Sequence, residues 1–79
     1  MRSPIVMPDL GGGRVTLSAW LAKPGDSVYA GDRLVEVLLD GATFDVASPA
    51  TGRLAEKLAW LDDVLMPGQV LGYIEDQPV

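Results

Sequence analysis

The sequence of 79 residues contains no cysteine and no histidine. Without cysteine the chain has no disulfide, thiolate nucleophile or zinc–thiolate site, and without histidine it lacks the usual general base and the commonest transition-metal ligand. A chain of this length also has room for only one modest hydrophobic core. These absences argue against an enzyme with a deep active site, and we predict no catalytic residue and no metal site.

Positive charge is also scarce. Six basic side chains stand against eleven acidic ones, which gives a net charge of −5 and a pI near 4.3. Only two of the six are lysines, Lys23 and Lys57. Binding to phosphates or anionic lipids requires clustered positive charge. The composition therefore predicts no nucleic-acid partner and no membrane partner, and the acidic surface is consistent with a monomer.

No apolar run approaches the about 20 residues that a membrane-spanning helix needs. Residues 1–10 lack the basic start and the apolar stretch of a secretory signal. The cytoplasm is therefore the default compartment, although a mature organellar domain that has lost its targeting segment would have the same features. With 48% hydrophobic residues the chain has the composition of a folded domain.

Nine glycines and six prolines divide the chain into short stretches that leave little room for helices. Within these stretches apolar residues alternate with polar ones, as in a strand with one buried face. Two sets are predicted to point to the inner side: Val15, Leu17, Ala19 and Leu21, and then Phe44 and Val46. Regular turn signals between short alternating stretches predict an all-β sandwich or barrel.

The segment from Leu54 to Leu61 is ambiguous by itself, because its leucines recur at helical spacing. An internal repeat resolves the ambiguity. A shift of 37 residues, from Leu17 to Leu54, superposes the two halves of the chain without a gap, matching Asp26 with Asp63 and Gly31 with Gly68. If the halves are structural copies, each contributes an apolar face to a shared core, and the segment from Leu54 is extended.

A hairpin is predicted between the two halves, over Leu34–Ala47. Its centre is Asp40-Gly41, the strongest short-range hairpin signal, because a type I′ turn needs positive φ at both central positions. Glu36, Asp40 and Asp45 give the hairpin negative charge. These carboxylates can simply keep the hairpin hydrated, or they can form a surface for a protein partner. They do not supply the six to eight convergent oxygens of a calcium site.

Several motifs together resemble the lipoyl domain of dihydrolipoamide acyltransferases from 2-oxo acid dehydrogenase complexes, a domain related to biotin carriers. The resembling segments cover nearly the whole chain: residues 5–11, 20–28, 31–37, 48–52 and 67–71. The resemblance implies a flattened barrel of two four-stranded antiparallel sheets with a pseudo-twofold repeat. It also implies one domain over residues 1–79 that ends in a tail, Asp76–Val79.

The resemblance implies that the hairpin tip is the position of cofactor attachment, because in this family an Asp-Lys-Ala tip carries the lysine to which lipoate is attached. Here Asp40 and Ala42 are present, and Gly41 occupies the lysine position. Attachment of lipoate or biotin requires an amine nucleophile, which glycine lacks. No cofactor is therefore expected. A second departure is Leu61-Asp62-Asp63, where family members commonly have a glycine turn.

The leading hypothesis is a lipoyl-like domain that cannot be lipoylated at the hairpin and acts as a non-catalytic binding or structural module. Its expected partners are proteins that recognise lipoyl domains, with Glu36, Asp40 and Asp45 as the candidate contact residues. The alternative is a lipoyl carrier domain of an acyltransferase whose attachment lysine was altered, in which case lipoate is the cofactor. A barrel with an unrelated ligand has no supporting residue. Trp20 and Trp60 are predicted to cover edges of the core.

Overall fold

The computed structural model describes residues 1–76, which form eight β-strands and no α-helix. The strands are β1 (Arg2–Val6), β2 (Val15–Trp20), β3 (Ser27–Val28), β4 (Arg33–Leu39), β5 (Ala42–Ala47), β6 (Gly52–Lys57), β7 (Val64–Leu65) and β8 (Val70–Asp76). None of the residues described belongs to a helix long and apolar enough to cross a membrane.

The strands form two four-stranded sheets with the orders β1-β8-β6-β3 and β5-β4-β2-β7. Every pairing is antiparallel. The predicted all-β architecture of two four-stranded antiparallel sheets is thus confirmed. The molecule is elongated, with principal extents of 41 × 19 × 18 Å.

One hydrophobic core fills the space between the sheets. Its buried members come from both halves of the sequence: Ile5, Met7, Val15, Leu17, Ala22, Val28, Leu34, Val35, Val37, Leu39, Val46, Leu54, Ala59, Leu65, Leu71 and Ile74. Residues matched by the 37-residue shift are buried together, as with Leu17 and Leu54, which are 0% and 1% exposed. Each half therefore supplies an equivalent apolar face, as the repeat predicted.

The two halves exchange backbone hydrogen bonds. The amide of Gly25 donates to the carbonyl of Leu54 over 2.8 Å, and the amide of Asp62 donates to the carbonyl of Leu17 over 2.9 Å. These two bonds are related by the repeat, since each residue of the first bond has its counterpart in the second. The pseudo-twofold symmetry thus extends to individual backbone contacts.

The symmetry also places Asp62 where the first half has Gly25. Gly25 has φ of 95°, and Asp62 has φ of 69°, which is the left-handed region that favours glycine. The turn at Leu61–Asp63 therefore keeps the glycine-type backbone although it lacks the glycine. Aspartate tolerates this region better than most residues, which explains how the departure leaves the fold intact.

Each of these turns is closed by an aspartate side chain. Asp26 Oδ2 accepts the backbone N–H of Lys23 over 2.9 Å, and Asp63 Oδ2 accepts that of Trp60 over 2.8 Å. A carboxylate that accepts a backbone N–H three residues earlier fixes the turn and satisfies a donor that would otherwise rely on water.

We expect Asp26→Ala and Asp63→Ala to lower the free energy of unfolding by similar amounts, about 1 kcal/mol each. The reason is that each substitution removes the same side-chain acceptor from equivalent turns. Urea denaturation followed by circular dichroism measures both values. Asp45→Ala is a suitable control, since Asp45 accepts no backbone N–H in the part of the chain that the structure describes. A large loss for one turn and none for the other would show that the turns are not equivalent.

Two inner-face predictions, those for Ala19 and Leu21, are wrong for one structural reason. The register between β2 and β4 shifts between Leu17 and Ala19, so Ala19 pairs with Glu36 of the solvent face and Leu21 is 48% exposed. Phe44 pairs with buried Val37, so its predicted face is correct, although its side chain is 42% exposed. A matching register shift in β6, between Leu54 and Glu56, occurs at the position related by the repeat.

The ambiguous segment begins as a strand, since β6 ends at Lys57, and Leu58 and Leu61 are then largely exposed. Its leucines therefore do not form one buried helical face. The predicted tail also needs correction: Asp76 is the last residue of β8, where its amide donates to the carbonyl of Met1. The rest of that tail, residues 77–79, lies outside the described residues.

Candidate functional site

The turn between β4 and β5 is the position where the resemblance locates the carrier lysine. Asp40 and Gly41 have φ of 50° and 78°, the positive values that a type I′ turn requires. Leu39 and Ala42 pair directly across the turn. A Cβ at Gly41 would meet nothing within 4 Å, so the tip is surrounded by open space.

A glycine-rich loop passes beside this tip. Gly11, Gly12 and Gly13 all have positive φ, and they connect β1 to Val15, which pairs with Leu39. A Cβ at Gly13 would lie 2.8 Å from Leu39 Cδ1 and 3.8 Å from Asp40 Oδ2. Because no side chain is present there, the loop approaches the hairpin closely. Sequence reasoning missed this role, although three consecutive glycines are a visible signal.

Two of the three candidate contact residues lie side by side. Glu36 and Asp45 are cross-strand partners on β4 and β5, opposite the buried face of the sheet. Glu36 Oε2 accepts a hydrogen bond of 3.1 Å from Ser18 Oγ, and Asp45 Oδ2 lies 3.6 Å from Arg33 Nη1. These neighbours offset the repulsion between facing carboxylates, which is otherwise destabilising.

Asp40 is separate from this pair. It is four residues along the chain from Glu36, which corresponds to about 13 Å at the rise of a β-strand. Its side chain takes part in no hydrogen bond or ion pair with another residue between 1 and 76. The structure therefore groups Glu36 with Asp45 and leaves Asp40 alone at the tip.

Neither lysine of the chain is near the tip. Lys57 lies at the end of β6, with Nζ 5.1 Å from the centroid of the Trp20 ring. Trp20 pairs with Val35, at the opposite end of β4 from Leu39. Lys23 follows Trp20 by three residues, in the turn that Asp26 closes. Both amines therefore belong to the end of β2 that is remote from the hairpin turn.

The residues at the tip do not fit a lipoyl group, since a covalent amide requires an amine and the tip offers a carboxylate, a hydrogen and a methyl group at positions 40, 41 and 42. Among residues 1–76 no group of three or more acidic side chains could hold a metal ion. The hairpin can therefore present charge and backbone to a partner, and residues 40–42 at its tip contain no amine to which an acyl group could be joined.

A second surface feature surrounds Lys57. Trp20 Nε1 donates to the carbonyl of Ala59 over 2.9 Å, so its ring is fixed, while the indole of Trp60 is 58% exposed beside it. Together with Leu61 these residues line a shallow groove. The expectation that the tryptophans cover edges of the core fits Trp20, which packs against the core. The groove itself could not be derived from sequence spacing, because it joins β2 to a loop about forty residues later.

Comparison with known proteins agrees with this geometry. The model of the biotin/lipoyl domains, described as "Biotin-requiring enzyme", matches residues 3–74. The chain is 35% identical over 74 residues to the dihydrolipoyllysine-residue acetyltransferase component of the pyruvate dehydrogenase complex of Corynebacterium glutamicum, covering 91% of this chain and 11% of that protein.

Two further matches are informative. The lipoamide acyltransferase component of the branched-chain alpha-keto acid dehydrogenase complex of Bacillus subtilis is 33% identical, over 92% of this chain and 18% of that protein. The solution structure of the lipoyl domain of the 2-oxoglutarate dehydrogenase complex from Azotobacter vinelandii superposes with a TM-score of 0.70, at 22% identity, over 99% of each chain. The chain thus spans less than a fifth of these two acyltransferase components and has the fold of a complete solved domain.

Proposed function

The chain belongs to the biotin/lipoyl domain family, and from this premise we propose that it is a lipoyl-type domain that is not lipoylated at its hairpin and acts as a non-catalytic binding or structural module. One observation carries the proposal. Gly41 occupies the turn between β4 and β5, and the position has no side chain to which an acyl group could be joined.

The surroundings of the other amines support the same conclusion. Lys57 lies over the Trp20 ring, in the groove lined by Trp60, and Lys23 precedes a Pro-Gly turn. Neither lysine stands at the apex of a two-residue hairpin. An attachment enzyme that reads the tip of the β4–β5 hairpin would therefore find no nucleophile in reach.

The proposed contact surface consists of the Glu36–Asp45 pair and, at the tip, Asp40. The pair is on the solvent face of its sheet, and Asp40 is exposed. We assign these carboxylates to recognition by proteins that handle lipoyl domains, because such a partner can read the folded hairpin without a lipoyl arm. Complementary charge would then govern the rate and orientation of the encounter.

A second candidate function is a lipoyl carrier domain of a dihydrolipoamide acyltransferase in which the attachment lysine was altered, with lipoate as its original cofactor. The matches to acyltransferase components favour it, since the matched segment is a small part of each. Under either candidate the domain itself is not the catalyst. Further parts of the proposal are a monomeric domain of residues 1–79, a location in the cytoplasm or in an organelle, and no binding to nucleic acid or membranes.

We expect the chain to compete with an authentic lipoyl domain for a lipoate ligase while its own mass remains unchanged. The ligase, lipoate and ATP are supplied, and intact-mass measurements follow both proteins over time. Replacing the facing pair, Glu36→Gln with Asp45→Asn, should raise the inhibitory concentration by roughly tenfold, which corresponds to about 1.4 kcal/mol.

Glu56→Gln is the matched control, because Glu56 is a strand carboxylate on the other sheet, bonded to Arg2. It should leave the competition unchanged. A lipoyl group on the unaltered chain would refute the proposal that the domain is unmodified. Absence of competition, with the mass unchanged, would refute the proposed recognition surface alone.

A further inference from the structure

The hairpin tip has a chemical property that is independent of any lipoyl partner. Asp40-Gly41 is the only Asp-Gly sequence in the 79 residues, and the chain contains no asparagine. In an Asp-Gly sequence the backbone nitrogen of the glycine attacks the carboxyl group of the aspartate side chain most readily, because glycine has no Cβ to hinder the approach. In this protein, attack of a backbone nitrogen on an aspartate side chain would therefore be concentrated at Asp40.

The local structure leaves both reacting groups free. Gly41 lies two residues after the end of β4, and its N–H takes part in none of the turn or loop hydrogen bonds of residues 1–76. The Asp40 carboxylate is exposed and has no side-chain partner there. Nothing lies within 4 Å of the place that a Cβ at Gly41 would take, so this side of the glycine is open.

The other aspartates of the chain are restrained by contrast. A carboxylate oxygen accepts a hydrogen bond from a backbone N–H in each of three cases: Asp26, Asp32 and Asp63. Asp62 shares the positive φ of Asp40, but the nitrogen that would attack it, that of Asp63, donates to the carbonyl of Trp60 over 3.1 Å. Free carboxylate, free nitrogen and a following glycine therefore coincide at Asp40.

We propose that the hairpin tip is a site of spontaneous isoaspartate formation, in which Asp40 isomerises in the folded protein. The Gly41 nitrogen attacks Asp40 Cγ of the protonated carboxyl group, a C–N bond forms, and the nitrogen's hydrogen and the carboxyl hydroxyl leave together as one water molecule. Water then adds to either carbonyl of the resulting five-membered imide. Opening at the former backbone carbonyl gives isoaspartate, and the reaction involves no oxidant or reductant.

Isomerisation would alter the turn directly. The main chain then runs through the former side chain of Asp40 and gains one methylene group between Leu39 and Gly41. A two-residue type I′ turn has no room for an added backbone atom, because its two central residues alone reverse the chain. The Leu39–Ala42 pair next to the turn would be the first to separate.

The test is incubation of the folded chain at physiological temperature in mildly acidic water labelled with heavy oxygen. Isoaspartate is then detected by enzymatic methylation with an isoaspartyl methyltransferase, followed by peptide mapping. We expect methylation and one heavy oxygen atom per event in the peptide that contains residues 40 and 41. Gly41→Ala and Asp40→Glu should each lose this signal, since one hinders the attack and the other requires a larger ring. Asp26→Glu should retain it.

Circular dichroism verifies that every variant is folded before the incubation. A signal spread over other aspartates would overturn the proposal, as would a signal that appears only after unfolding in urea. Retention of the signal in Gly41→Ala would equally refute it, because attack by an unhindered glycine nitrogen is its central step.

Discussion

In the presence of a lipoate ligase, the Gly41→Lys variant is expected to gain one lipoyl group per molecule, whereas the unaltered chain is expected to gain none. The substitution supplies the amine nucleophile that the tip lacks, flanked by the Asp40 and Ala42 already present. The new side chain meets no neighbour within 4 Å of its Cβ. Intact-mass measurement of the variant and the unaltered chain decides the result.

The backbone does not prevent this outcome. Lysine at a φ of 78° costs about 1 kcal/mol relative to glycine, a strain that an exposed two-residue turn can relieve by a change of turn type. Ala42→Lys is the matched control, because it places the same amine one residue later, on the first residue of β5. It should remain unmodified if the ligase reads the apex position.

A folded Gly41→Lys variant that stays unmodified would contradict the expectation. It would mean that the surrounding hairpin, and the glycine loop beside it, no longer present the tip in a form that the ligase accepts. That result would leave the chain as a binding module and would weaken the alternative of a carrier domain with one altered residue.

Gly52→Ala is expected to have the largest effect on stability, a loss of about 3 kcal/mol or more. A Cβ at this position would overlap the carbonyl oxygen of Glu75 and lie 3.1 Å from the Cα of Asp76. Both obstacles are backbone atoms of β8, the strand paired with β6, so no side-chain rotation can remove the clash. Urea denaturation measures the loss in free energy of unfolding.

Gly25→Ala provides the comparison, since Gly25 has a positive φ but open space where a methyl group would lie. Backbone strain alone should cost about 1 kcal/mol there. Equal losses in the two variants would show that β6 and β8 can separate enough to admit a methyl group, and would refute the close approach seen at Gly52.

The hairpin and its charged pair could be derived from the sequence because their causes are local. Asp40-Gly41 specifies a two-residue turn, and a two-residue turn fixes the register, so Glu36 necessarily faces Asp45. The distance from this pair to Asp40 also follows from strand geometry. What remained open was their hydrogen bonding to Ser18 and Arg33, which depends on side-chain orientation.

The errors arose where one strand is shaped by another. The alternation that predicts an inward-pointing Leu21 holds only as far as the register shift between Leu17 and Ala19. Nothing in the sequence of the segment itself marks that shift. Phe44 alternates correctly with Val46, yet Phe44 is 42% exposed and Val46 only 5%, a difference between two residues of one strand that alternation does not predict. The repeat compensated for part of this lack of information, because it identified β6 as a strand by analogy with β2.

The exchange of backbone hydrogen bonds between the halves has a kinetic consequence. Each sheet contains strands from both halves, and the turn at Gly25 is completed only when Leu54 has arrived, as that at Asp62 requires Leu17. Neither half of the chain therefore contains a finished sheet. Such a topology has high contact order, so folding must close long loops before it gains stabilisation, and the transition is expected to be all-or-none. A chain break or local strain in one half therefore destabilises the other half as well. The hairpin tip keeps its structure only while the whole chain remains folded.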